Sequence, residues 1–150
     1  MSDPDVSRMV DIENDILYRK IDPDHWNHET NELYPTAFED IGRPGSDLSF
    51  FVARYKTPVQ VLYYFGGQGA TRRAFGIGNR VTAERMVAGN YRIAEVRAAD
   101  IQRIGLVYEV LKGHEASTGG HVTVINGRHH AIRILRFARC LTEQETFGNT

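Results

Sequence analysis

Asp47–Phe65 reads DLSFFVARYKTPVQVLYYF, and its two halves decide the fold. Leu48–Tyr55 is rich in Phe and Val, the residues that suit a pleated, packed surface. Side chains alternate along a strand, so Phe50 and Val52 go to one face and Phe51 and Ala53 to the other. Both faces are apolar, which predicts a strand inside a sheet rather than at its margin. Thr57 then supplies a helix cap and Pro58 the first helical position. Val59, Leu62 and Tyr63 recur at helical spacing, with Val61, Tyr64 and Phe65 beside them. A helix apolar on nearly every side belongs in a core. Gly66-Gly67 ends it. The expectation is that the other elements pack around this strand–helix unit.

Working outward on the N-terminal side, Arg43-Pro44-Gly45-Ser46 is a turn leading into the strand. Asn31–Asp40 breaks at Pro35, with Tyr34 and Phe38 expected to anchor it to the core. Asp22-Pro23 is a helix start, followed by His25, Trp26 and His28. Ile16–Ile21 (ILYRKI) reads as a first strand, with Arg19 in its middle, where a charge needs solvent or a polar partner. Residues 1–15 are acidic and form either a short docked helix or a frayed tail.

On the other side, Gly66–Arg80 holds five glycines together with Arg72, Arg73 and Arg80. Thr82 is expected to cap a helix, stapled by Val81 and Met86 and closed by Gly89-Asn90. Tyr91–Val96 alternates as a half-buried strand. Asp100 caps a helical turn that Gly105 ends. Leu106–Leu111 and His121–Ile125 are further strands, separated by the polar loop Gly113–Gly120, and Asn126-Gly127 is a turn. Ile132, Ile134, Leu135, Ala138 and Leu141 predict a terminal helix over 129–142. The last eight residues, 143–150, are expected to be a loose tail. The sum is one α+β domain over residues 16–142, an approximately five-stranded mixed sheet flanked by four or five short helices.

The whole chain has 150 residues, 41% hydrophobic and 25% charged, with a net charge of −1. That suits one soluble domain and argues against broad, nonspecific DNA binding. The single cysteine, Cys140, allows no internal disulfide and suits a reducing compartment. No apolar stretch fits a signal peptide or a membrane span, so a cytoplasmic location is expected, with no membrane contact.

Four groups of residues are candidates for chemistry. Gly67 and Gly69, followed by Arg72 and Arg73, could cradle a phosphate through backbone amides and guanidinium forks. The pattern is neither a P-loop nor a dinucleotide fingerprint, and a plain connector is the alternative. His121 opens a strand after Gly119-Gly120, a place suited to general acid–base work, or it simply caps a strand edge. His25 with His28, His114 with His121, and His129-His130 match no zinc spacing, so no metal site is assigned. Arg128, Arg133, Arg136 and Arg139 would form a positive stripe on the terminal helix, either a solvated face or a dock for an acidic partner or a phosphate backbone. Cys140 reads as a buried structural thiol in that helix.

The order Leu17-Tyr18-Arg19, Phe38, Leu48-Ser49 and then a capped helix resembles the opening of compact ADP-ribosyltransferase-like domains, among them the RES-type toxins that consume NAD. The resemblance implies an arginine on the first strand, a serine on a later strand and a glutamate that steadies an oxocarbenium-like transition state. Carried over by position, Arg19 would bind the phosphate on the nicotinamide side and Ser49 would support the ribose. Gln60 stands where the helix might supply the acid, and Glu95 is the acidic candidate on a later strand. The chain is also similar, over roughly Leu17 to Leu141, to small uncharacterised bacterial proteins with a late His-Val/Ala strand followed by a helix.

Three functions are compatible with these residues. The first is a non-catalytic binding or accessory module of a bacterial multi-protein system, with another protein as partner. The second is an NAD-consuming transferase or NAD hydrolase of toxin–antitoxin type, with Arg19, Ser49, Glu95 and His121 as its catalytic set. The third is a phosphate- or RNA-binding domain using Arg72, Arg73 and the terminal arginines. No cofactor is required by the first reading; NAD is required by the second.

Overall fold

The computed structural model describes residues 15–42, 44–63, 79–104, 108–110 and 121–148. They form a single α+β domain built on one six-stranded sheet. The strands are β1 (Ile16–Ile21), β2 (Leu48–Val52), β3 (Arg92–Arg97), β4 (Tyr108–Val110), β5 (His121–Val124) and β6 (Arg139–Cys140). Their order is β4-β5-β2-β1-β3-β6. The helices are α1 (Pro58–Tyr63), α2 (Asn79–Ala88), α3 (Ala98–Arg103), α4 (Ala131–Leu135) and α5 (Glu143–Phe147).

Every described pairing is antiparallel, so the sheet is not mixed as the sequence suggested. The physical reason lies in the connections. A parallel neighbour needs a crossover that returns the chain to the same end of the sheet. Here the segments between neighbouring strands each deliver the chain to the opposite end instead.

Alternation splits the sheet cleanly. Leu17, Leu48, Phe50, Val52, Val96, Val122 and Val124 share one side, the Phe50 face. Trp26, Leu33, Ala37 and Phe38 cover it from the 23–38 loop, Ala98 and Ile101 from α3, and Ala131 and Ile134 from α4. Tyr18, Phe51 and Ile93 share the opposite side, the Phe51 face. Val61 and Leu62 of α1, Ala83 and Val87 of α2, and Leu141 complete that second core, with Phe147 of α5 packed against it. Full burial of side chains such as Phe50 and Leu17 contributes on the order of 2–3 kcal/mol each.

β2 is an interior strand with both faces buried apart from Ser49, as its sequence predicts. It ends at Val52, and Ala53–Tyr55 turn away. Thr57 and Gln60 form a reciprocal cap on α1. Thr57 Oγ1 accepts from Gln60 N at 3.2 Å, and Gln60 Oε1 accepts from Thr57 N at 2.9 Å. β2 shares the middle of the sheet with β1. β1 pairs along its whole length with β3 and also with β2, while α1 covers only one side.

Other local expectations shift. Phe38 is fully buried, but Tyr34 is 41% exposed and anchors little. α2 begins at Asn79, so Thr82 lies inside it, and Val81 is exposed rather than stapled. Its exit uses Asn90 at φ +71, the left-handed residue that follows Gly89.

The largest correction concerns 129–142. It is not one helix: Gly127–His130 is a 3-10 turn, α4 stops at Leu135, and Arg139–Cys140 is a strand paired to β3. Ala94 faces Cys140 across that pair, so Cys140 is bought into the Phe50-face core by strand pairing rather than helix packing. The arginine stripe dissolves with the helix, since Arg128 lies in the turn and Arg139 in the strand. Residues 143–147, expected to be loose, form α5. Its cap is a full capping box: Thr142 Oγ1 accepts from Glu145 N at 3.1 Å, and Glu145 Oε1 accepts from Thr142 N at 3.0 Å.

β6 is the last strand of the sheet. Leu141 N donates to Ile93 O, which leaves the backbone groups of Cys140 turned away from β3. Asn31, held at φ +64, donates Nδ2 to Cys140 O at 3.0 Å and covers that edge. The expected Gly66–Arg80 loop up to residue 78, the Gly113–Gly120 loop, Gly105 and residues 1–14 lie outside the described residues.

Candidate functional site

The register of β1, β3 and β6 places Tyr18, Glu95 and Arg139 in one row on the Phe51 face. α5 rises beside the row because the Thr142 cap starts a helix immediately after β6. The result is an open cleft of about 380 Å³, walled by Tyr18, Glu95, Arg139, Gln144 and Glu145 and floored by Leu141.

Arg139 organises the charges. It forms a short ion pair with Glu145 through Nη1 and a longer one with Glu95, at 3.4 Å, through Nη2. Glu145 also accepts the Thr142 backbone N–H, and that bond, followed by the Arg139 bond, holds its carboxyl below the usual range. Both bonds favour the charged form, so Glu145 is an anion at neutral pH. Burial, and then the negative charge of Glu95, pushes the Tyr18 phenol above its ordinary value, so it carries its proton and can donate a hydrogen bond. Two carboxylates, one guanidinium and one phenol thus share a half-open hollow.

A second hollow, of about 520 Å³, adjoins the first and shares Arg139 and Glu145 with it. Its lining includes the apolar groups Leu33, Leu135, Ala138 and Cys140, and Glu32 contributes to its wall. Cys140 is 4% exposed, and burial pushes its thiol up to about 11. It is a protonated, unreactive wall at neutral pH.

The four residues expected to form a catalytic set do not gather. Arg19 lies on the Phe50 face. It donates Nε to Ala37 O at 2.9 Å and Nη1 to Ser49 O at 3.1 Å, and pairs with Asp40 through Nη2. Arg19 thus meets only the backbone of Ser49. The Ser49 side chain is exposed on the opposite face, beside Thr123 in register. His121 lies on that same face, its ring stacked on Phe51 at 4.9 Å. Phe51 and Tyr18 stand between His121 and Glu95, so three strand spacings, roughly 14 Å, separate them. That is beyond the reach of a shared proton. Only Glu95 reaches the cleft. Gly67, Gly69, Arg72 and Arg73 lie outside the described residues.

The described histidines are dispersed. His28 donates Nε2–H to Pro23 O at 2.6 Å and leans on Trp26, while His130 meets Arg133. Among the described residues no group of three or more His, Cys, Asp or Glu side chains gathers as a metal ion requires. Also among the described residues, no helix is long and apolar enough to cross a membrane.

Sequence reading missed Glu145 and the role of Arg139. The available signal was Thr142-x-x-Glu145, a capping-box spacing that marks a helix start in the expected tail. Nothing local could have brought Tyr18 to Arg139, because β3 has to lie between them. No family model, curated protein or solved structure matches the chain.

Proposed function

We propose that the chain is a non-catalytic binding module that docks another protein over the Tyr18–Glu95–Arg139–Glu145 cleft, as an accessory component of a multi-protein system. One observation carries this reading. Tyr18, Glu95, Arg139, Gln144 and Glu145 converge on one cleft built on strand pairs and a capped helix, whereas the candidate catalytic groups are divided between the two faces of the sheet. A cleft of this size accepts a side chain or a short segment, and its walls are preorganised.

The test places a photo-cross-linking residue at Gln144, in the cleft, and at Gln102, on the exposed side of α3, in otherwise unaltered protein in cells. A discrete cross-linked product from position 144, absent from position 102, is the expected result. Release of nicotinamide from NAD by the purified chain, lost in Arg19→Lys under conditions where that variant remains folded, would overturn it in favour of an NAD-consuming enzyme. Such an enzyme would need Arg19 to leave its present bonds with Ala37, Ser49 and Asp40.

A further inference from the structure

The two hollows on either side of the Arg139–Glu145 pair are lined by different side chains, and together they describe an occupant. One sets the apolar groups Leu33, Leu135, Ala138 and Cys140 among polar neighbours that include Thr30, Asn31, Glu32 and Thr142. The other bears Glu95 and Tyr18. Counting both, the walls hold the carboxylates of Glu32, Glu95 and Glu145 against the single guanidinium of Arg139. We propose that the partner segment carries an apolar side chain next to a basic one, the apolar group entering the Leu33–Leu135–Ala138 hollow and the cation meeting Glu95 beside Tyr18. This rests on the binding-module reading above and adds the chemistry of the partner.

Glu95 is the group best placed for the cation. Its side chain is 23% exposed, and its contact with Arg139 is the long one, at 3.4 Å. Glu145 is the more committed carboxylate, held by both Arg139 and the Thr142 backbone. A guanidinium or ammonium arriving beside Glu95 therefore competes with a weak bond rather than a strong one. The protonated phenol of Tyr18 adds a ring wall against which a cation packs favourably. An acidic segment would instead meet surplus negative charge, so the site discriminates by sign. The cost of ordering a side chain in a half-open cleft keeps the affinity of a short segment low.

The full chain, labelled with nitrogen-15, is titrated with three capped peptides: acetyl-Gly-Leu-Arg-Gly-amide, its Leu-Glu counterpart and its Ala-Arg counterpart. The Leu-Arg peptide is expected to shift the amides of Glu95, Arg139, Cys140 and Glu145 saturably, with a dissociation constant on the order of 1 mM. The Ala-Arg peptide should bind several-fold more weakly and the Leu-Glu peptide not at all. The double variant Glu95→Gln, Glu145→Gln should weaken Leu-Arg binding about tenfold. Glutamine at position 145 still completes the capping box, so that variant keeps α5. Absence of saturable shifts with Leu-Arg, an equal response to Leu-Glu, or unchanged binding in the double variant each overturns the inference. A cross-linked partner at position 144 together with any of those outcomes leaves the binding module standing and removes only this assignment of its partner.

Discussion

Arg19 shows how a single side chain can be read correctly in type and wrongly in role. A charge in the middle of a strand demands polar partners, and Arg19 has them in Ala37 O, Ser49 O and Asp40. Its fork ties β1 to the 35–40 turn, and Arg128 also approaches Asp40, at 3.6 Å. Arg19→Ala should therefore lower stability by about 2–3 kcal/mol, since charge-assisted bonds are lost and Asp40 keeps less compensation. Urea unfolding measures it, and Arg19→Lys should recover only part, because an ammonium cannot reproduce the fork. Cys140 supplies a second prediction. Its folded-state value, about 11, lies above the ordinary 9.0. The folded chain thus favours the protonated thiol, and that contribution is complete below pH 9 and is lost as pH rises towards 11. The urea midpoint should fall across that window more steeply in the parent than in Cys140→Ala. Disulfide-exchange labelling near pH 8 should be slow until the chain is unfolded.

At the scale of elements, strands with alternation were legible and everything fixed by distant pairing was not. Ile16–Ile21 has the extent expected of it, and Leu48–Val52 has the predicted division of Phe50 from Phe51. The 129–142 segment misleads because Ile132, Ile134, Leu135, Ala138 and Leu141 fall at spacings a helix would share. Pairing with β3 overrides that pattern for Arg139 and Cys140. Ile132, at 60% exposed, shows that one apolar position in the pattern has no core to face. The cleft was hidden for the same reason, since its three central side chains come from strands brought together only by the sheet. α5 depends on its cap, being too short to persist on its own. Thr142→Ala should cost about 1 kcal/mol and speed hydrogen exchange at Glu145 and Thr146. Unchanged exchange there would mean that packing of Phe147, not the cap, holds the helix.

At the scale of the molecule, two apolar cores lie on opposite sides of one sheet, and the central strands feed both. Leu17 and Phe50 serve one side while Tyr18 and Phe51 serve the other, on the same two backbones. Neither core can be lost without disturbing the strands that build its counterpart. Phe50→Ala should cost about 3–5 kcal/mol, and Phe51→Ala, at a slightly exposed position, somewhat less. Both should lower one calorimetric transition rather than split it. Two resolved transitions in either variant would show that the layers unfold separately. The amide of Asn31 over Cys140 has a consequence at this same scale. A terminal strand normally offers its backbone as a template on which an identical strand can be laid. Here the carbonyl that would seed such stacking is already occupied by a side chain of the same chain, so fibril growth through that margin would first have to evict it.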